Sequence, residues 1–180
     1  MEAPHGHSLA AEAAWRHEQQ ATGKPAAFSL PSKSERRSSL NSTLIIAEKP
    51  SVALAIAAVV GADKRKNGYL EGNGYLVSWC VGHLVSLAQP ENYDLRLARW
   101  RRADLPILPD PWQYVPNEKT KKQLDLLCSL MNRPDIETIV CATDAGREGE
   151  LIFRLVYDCC RCSKPVKRLW ISSLEESAIR

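Results

Sequence analysis

Two kinds of hydrophobic pattern alternate along the chain from Thr43 onward. Leu44-Ile45-Ile46-Ala47 is a short apolar run, partly β-branched, and predicts a strand buried on both faces. It ends in Glu48-Lys49-Pro50-Ser51, where Pro50 disfavours helix at the preceding residue and Ser51 can cap a helix beginning at Val52. Val52–Val60 reads as that helix, Ala-rich and closed by Gly61. Gly68 to Cys80 predicts a hairpin, Tyr69-Leu70-Glu71 and Tyr75–Trp79 joined by Gly72-Asn73-Gly74, with Val81–Leu84 as a turn. Residues 89–117 form a long connection rich in Pro and Trp, of the kind that is functional or packs as an ordered excursion. Helical spacing of Leu124, Leu127 and Leu130 marks Asn117–Met131 as a helix. Thr138–Ala142 is a second buried strand, Glu148–Tyr157 an amphipathic helix, and Val166–Ile171 a further strand. Ser173 and Glu176 stand at capping-box spacing and predict a helix running past Arg180. Such alternation of strand and helix predicts an α/β domain with a mainly parallel sheet flanked by helices.

Residues 1–42 lack this pattern. They are rich in Ala, Ser, Gln and charge, and hold His5, His7 and His17. Leu9–Gln20 could form a weak helix, but the stretch reads as a disordered leader. Removing it leaves 43–180 as one domain.

Composition narrows the class without naming a function. Across 180 residues, 44% are hydrophobic and 25% charged, which argues against wholesale disorder and against a fibre. A net charge of +3 is too small to indicate a nucleic-acid partner unaided. The longest nearly continuous apolar run, Val52 to Ala62, falls well short of the ~18 residues that suggest a membrane span, and no secretory signal is visible. Cys80, Cys128, Cys141, Cys159, Cys160 and Cys162 are expected to be small, reduced thiols rather than a disulfide framework. Cys159-Cys160-Arg161-Cys162 lacks a second Cys or His pair at zinc spacing.

The chemistry gathers at strand ends. In open parallel sheets ligands bind at the carboxyl ends of strands. Glu48 follows the first strand and Asp144 follows Thr138–Ala142, so the two carboxylates are expected to converge. Asp144-Ala145-Gly146-Arg147-Glu148-Gly149-Glu150 adds Glu148 in the first turn of the next helix. Clustered carboxylates need a neutralising partner, and Mg²⁺ held by one or two carboxylates plus water or phosphate oxygens supplies one. Alone, Glu148 is also explained as a charge favoured by the helix dipole, and Glu150 is expected on a solvated face. Gly72-Asn73-Gly74 sits in a hairpin and no Gly-Lys-Ser/Thr occurs, so the dinucleotide fingerprint and the Walker loop are both excluded.

Three segments in this order carry a resemblance: Ile45–Ser51, Trp79-Cys80-Val81-Gly82-His83-Leu84, and Ala142–Ile152. Arg168-Leu169-Trp170-Ile171-Ser172-Ser173-Leu174 fits with them. Over residues 43–180 the chain resembles the N-terminal Toprim domain of type IA DNA topoisomerases, most closely their bacterial topoisomerase III branch. The resemblance implies a Rossmann-like fold, Mg²⁺ as cofactor, and single-strand DNA cleavage, passage and religation through a 5′-phosphotyrosine. It implies that Glu48 stands beside the scissile phosphate, as acid for the leaving 3′-oxygen or as a metal-proximal group, and that Lys49 offsets phosphate charge. Asp144 and Glu148 would share Mg²⁺ with Glu48. Arg147 would steer the phosphate backbone or support the acidic cluster, or else make a surface ion pair with a neighbouring Glu.

Two departures stand out. The second aspartate of the family's Asp-x-Asp is Gly146, which removes one ligand. Tyr69, Tyr75, Tyr93, Tyr114 and Tyr157 match no nucleophile motif, so the chain is expected to be a C-terminally truncated piece, inactive alone. His83 is either near the site or a packed histidine bonded to its loop. Arg99, Trp100, Arg101 and Arg102, with Arg96, form the densest basic stretch. It is either a solvated loop with Trp100 packed on the domain or a platform for single-stranded DNA. A partner helicase and a cytoplasmic, nucleoid-associated bacterial location follow from the resemblance. A Toprim nuclease or primase-like enzyme, or a non-catalytic DNA-binding remnant, remain competing functions.

Overall fold

A computed structural model describes residues 42–171 and 173–179; the proposed leader lies outside the described residues. Strand β1 (Ser42–Ala47) is central, as its unbroken apolar run requires. It lies parallel both to β4 (Tyr75–Trp79) and to β7 (Ile136–Ala142), and β7 lies parallel to β8 (Val166–Arg168). An antiparallel flank of β3 (Tyr69–Gly72) and β2 (Lys64–Lys66) completes the order β2-β3-β4-β1-β7-β8. The hairpin between β3 and β4 turns on Asn73 and Gly74, both at positive φ (51° and 78°), as a tight two-residue connection demands.

Alternation along β1 sends side chains to two cores. Ile45 and Ala47 pack with Val77, Val140 and helix α1 (Pro50–Val60), whose Ala53, Ile56, Ala57 and Val60 are buried. Leu44 and Ile46 pack on the opposite face with Leu76, Ile139, α3 (Lys121–Met131) and α4 (Arg147–Cys159). A single helical turn, α2 (Pro90–Tyr93), follows β5 (Val85–Leu87), and α5 (Glu176–Ile179) closes the described chain on the α1 face through Ile179. The result is a three-layer α/β/α domain with a mainly parallel sheet, as the periodicity implied.

Several expectations need correction. Helix α1 starts at Pro50, so Lys49 and not Ser51 occupies the cap position, with no side-chain cap bond. Proline fits the first helical position because its missing N–H would be unpaired there anyway. Strand β8 ends at Arg168, three residues short of the expected Ile171. Cys128 and Cys160 form a disulfide tying α3 to the residue after α4, while Cys80, Cys141, Cys159 and Cys162 are free. Burial pushes the Cys80 thiol up to about 12, so it stays neutral and inert.

The Pro- and Trp-rich connection is an ordered excursion. A two-stranded ladder of β5 (Val85–Leu87) and β6 (Tyr114–Pro116) closes it at its base. Within it Trp100 is 55% exposed and Leu108 is 73% exposed.

Candidate metal and phosphate site

Because β1 and β7 are parallel neighbours with Ala47 paired to Ala142, the residues beyond their ends emerge side by side. Glu48 and Asp144 are those residues. The Asp144 backbone N–H donates to Glu48 Oε2 at 3.2 Å. Lys49 Nζ stands 3.7 Å from Glu48 Oε1 and 3.5 Å from Asp144 Oδ2, bridging the two carboxylates. Glu48 is largely covered, its side chain 13% exposed, whereas Asp144 at 60% faces solvent. Ion pairs as open as those of Lys49 are worth only about 0–1 kcal/mol, so the ammonium is readily displaced by a stronger cation.

Helix α4 begins at Gly146 as its cap residue and carries Glu148 and Glu150 in its first turn, where the helix dipole favours them. The structure does not place Glu148 against Glu48 or Asp144 through any ion pair or hydrogen bond. Glu148 instead pairs closely with His83 Nε2, which reaches it from the loop after β4. His83 is thus tied to a carboxylate at the start of α4. Arg147 opens α4, is exposed, and makes no ion pair among the described residues.

Glu150 departs from the solvated-face expectation. It accepts from Arg154 Nε at 2.8 Å and pairs with Arg168 at 3.3 Å. Arg168 is the residue that sequence reasoning missed. It follows Lys167 at the end of β8, in register with Cys141, and its side chain is 10% exposed. Its Nη2 donates to the backbone oxygens of Thr143 (2.8 Å) and Asp144 (2.7 Å), and its Nη1 to Thr143 Oγ1 (2.9 Å). The available signal was a charge directly before the apolar Leu169-Trp170-Ile171.

The turn is tight on its other side too. Thr143 Oγ1 donates to Gly149 O at 2.8 Å, and a Cβ on Gly149 would lie 2.2 Å from Asp144 O. An open cavity of about 290 Å³ flanks Asp144, walled by Val52, Ala142, Leu169, Ile171 and Leu174. Arg99, Trp100, Arg101 and Arg102 stand exposed on the excursion.

The donor chemistry suits a hard dication. Glu48 and Asp144 offer oxygen only, and a cationic group already sits between them. Among the described residues no group of three or more His, Cys, Asp or Glu side chains forms a self-sufficient metal cage. Mg²⁺ does not need one, since it keeps several waters and takes one or two carboxylates plus phosphate oxygens.

Comparison with known proteins gives the family. The Toprim domain model matches residues 43–174. DNA topoisomerase 3 of Bacillus cereus (strain ATCC 10987 / NRS 248) is 49% identical over 141 residues, which is 78% of this chain and 19% of that protein. For DNA topoisomerase 3 of Bacillus thuringiensis (strain Al Hakam) the identity is 50% over 138 residues, 77% of this chain and 19% of the relative. DNA topoisomerase 3 of Bacillus subtilis (strain 168) is 48% identical over 141 residues, 78% of this chain and 19% of that relative. The chain thus spans about a fifth of the length of the curated relatives it matches.

Proposed function

The chain belongs to the Toprim domain family, and from that premise we propose that it forms the Mg²⁺- and phosphate-binding part of a type IA topoisomerase active site, of the topoisomerase 3 kind. The observation that carries the reading is the meeting of Glu48 and Asp144 at the ends of adjacent parallel strands, with Lys49 between them. Toprim domains are generally metal-binding. Here Glu48 and Asp144 would hold Mg²⁺, joined by Glu148 once it leaves His83. The ion would supply electrostatic stabilisation of the scissile phosphate.

The protein's own side chains divide the remaining work. Glu48, largely covered, would stand beside the scissile phosphate, either as acid for the leaving 3′-oxygen or, as its carboxylate, next to the metal. Lys49, displaced from its weak ion pairs, becomes a point charge for a phosphate oxygen. Arg147, unpaired and at the helix start, steers the backbone of the strand. Single-stranded DNA would continue over Arg99, Trp100, Arg101 and Arg102, where an exposed ring among arginines suits base stacking and phosphate contact. The tyrosine nucleophile would come from residues other than the five tyrosines of this chain. A helicase partner and a nucleoid location are what the family resemblance implies.

Calorimetric Mg²⁺ titration tests the reading, paired with binding of a labelled single-stranded oligonucleotide with and without Mg²⁺. Wild type is expected to bind Mg²⁺ and to hold DNA more tightly in its presence. Asp144→Asn and Glu48→Gln should each weaken Mg²⁺ binding about tenfold or more. No Mg²⁺ heat and Mg²⁺-independent DNA binding would refute it. Metal-dependent cleavage of DNA or RNA by the chain alone, abolished by Glu48→Gln, would establish the nuclease alternative.

A further inference from the structure

We infer that Arg168 is a positioning residue for Asp144, setting the candidate metal carboxylate through the backbone of the turn that follows β7. This rests on the reading of Asp144 as a Mg²⁺ ligand.

The guanidinium is almost fully committed. Four of its five N–H donors are engaged: Nη2 by the carbonyls of Thr143 and Asp144, and Nη1 by Thr143 Oγ1 and Cys141 Sγ. The fifth, on Nε, is buried without an acceptor among the described residues. A group so enclosed has no accessible donor left to offer a phosphate. The alternative of a plain core ion pair fails differently. Glu150 is only one partner, and it also serves Arg154. The remaining contacts all converge on Cys141, Thr143 and Asp144, the three positions that lead from strand to site.

Direction matters here. The carbonyl of the Thr143–Asp144 peptide and that of the next peptide both accept from Arg168, which fixes the rotation of both planes. In a trans peptide the Asp144 N–H leaves opposite the Thr143 carbonyl, and here it donates to Glu48, while the Asp144 carboxylate stands beside Lys49. Trp170 lies 5.5 Å from the guanidinium carbon and holds the plane of the fork. Lysine cannot reproduce this, because its ammonium is a point donor without a fork.

The test uses Arg168→Met and Arg168→Lys in the full chain, with two readouts. The first is amide hydrogen exchange at Asp144 and Gly146, the latter donating to Asp144 O at 2.8 Å. The second is Mg²⁺ affinity by calorimetry. Arg168→Met should accelerate exchange at those two amides about tenfold or more, leave the β1 amides unchanged, and weaken Mg²⁺ binding about tenfold or more, as loss of a group that orients a metal ligand does. Arg168→Lys should recover at most part of either, and it carries the test if the Met variant does not fold. Three results would overturn the inference: exchange faster throughout the sheet, wild-type behaviour of Arg168→Lys in both readouts, or Mg²⁺ affinity within twofold of wild type in Arg168→Met. If wild type binds no Mg²⁺, the metal reading falls, and exchange at Asp144 and Gly146 still decides whether Arg168 orders the turn.

Discussion

Gly149→Ala sets two physical effects against each other. Gly149 lies in the first turn of α4, where alanine is the better helix former by about 1 kcal/mol. Propensity alone therefore predicts a more stable protein. Packing predicts the reverse. The added Cβ would stand 2.2 Å from Asp144 O, 2.9 Å from Asp144 N and 3.0 Å from Asp144 C. These are backbone atoms of a turn held on its far side by Arg168, so they cannot swing away as a side-chain tip would. Relief requires the turn or the helix to move by roughly 1 Å, and such overpacking costs about 1–3 kcal/mol. The move also stretches the Thr143 Oγ1 bond to Gly149 O, worth about 1 kcal/mol. Subtracting the gain in propensity leaves a net loss near 2 kcal/mol, or roughly 8 °C in Tm for a domain of this size. Urea denaturation followed by circular dichroism measures it. Gly146→Ala is the control, since nothing lies within 4 Å of its added Cβ, and it should stay within about 0.5 kcal/mol of wild type. A Gly149→Ala protein as stable as wild type, or more so, would refute the close approach of helix and turn.

Two further substitutions probe the site and the staple. Gly146→Asp restores a carboxylate at an open cap position, and it should tighten Mg²⁺ binding in calorimetry while adding a few tenths of a kcal/mol of stability; equal Mg²⁺ affinities would mean the missing carboxylate is irrelevant. Cys128→Ser opens a cross-link between residues 32 apart, which lowers stability by about 3–4 kcal/mol on a chain-entropy basis. Its urea midpoint should match that of reduced wild type, and an unchanged midpoint would show that the bond does not constrain the unfolded chain.

The parts of the fold that declared themselves in the sequence are those governed by local rules. Leu44–Ala47 and Thr138–Ala142 are unbroken apolar runs, and only a central strand buries both faces. Asn73-Gly74 supplies the positive φ that a tight hairpin needs. From the two runs the meeting of Glu48 with Asp144 was already legible, because it depends on strand ends and not on side-chain detail. What stayed hidden depends on partners far away in the chain. Lys64–Lys66 is an exposed edge strand of three charged residues, without any apolar alternation to reveal it. Glu150 looked solvated because its partner Arg168 lies on β8, 18 residues further along the chain, although its spacing to Arg154 was a visible i,i+4 pair. Pairing of Glu148 with His83 joins positions 65 apart, and no local pattern encodes it. Nor does cysteine spacing reveal that Cys128, in mid-helix, faces Cys160.

The contact between Glu48 and Asp144 spans 96 residues, and this has a kinetic meaning. A helix or hairpin of this domain can form from its own segment. The site cannot, because it exists only when β7 has docked against β1 and the loop between them has closed. Loop-closure entropy must be met before that contact repays anything, so the site belongs to the late, slow part of folding. A cation binding there recognises the finished sheet and nothing earlier. It therefore stabilises only the docked state, and the occupancy of the site becomes a report on whether the two halves of the domain have found each other.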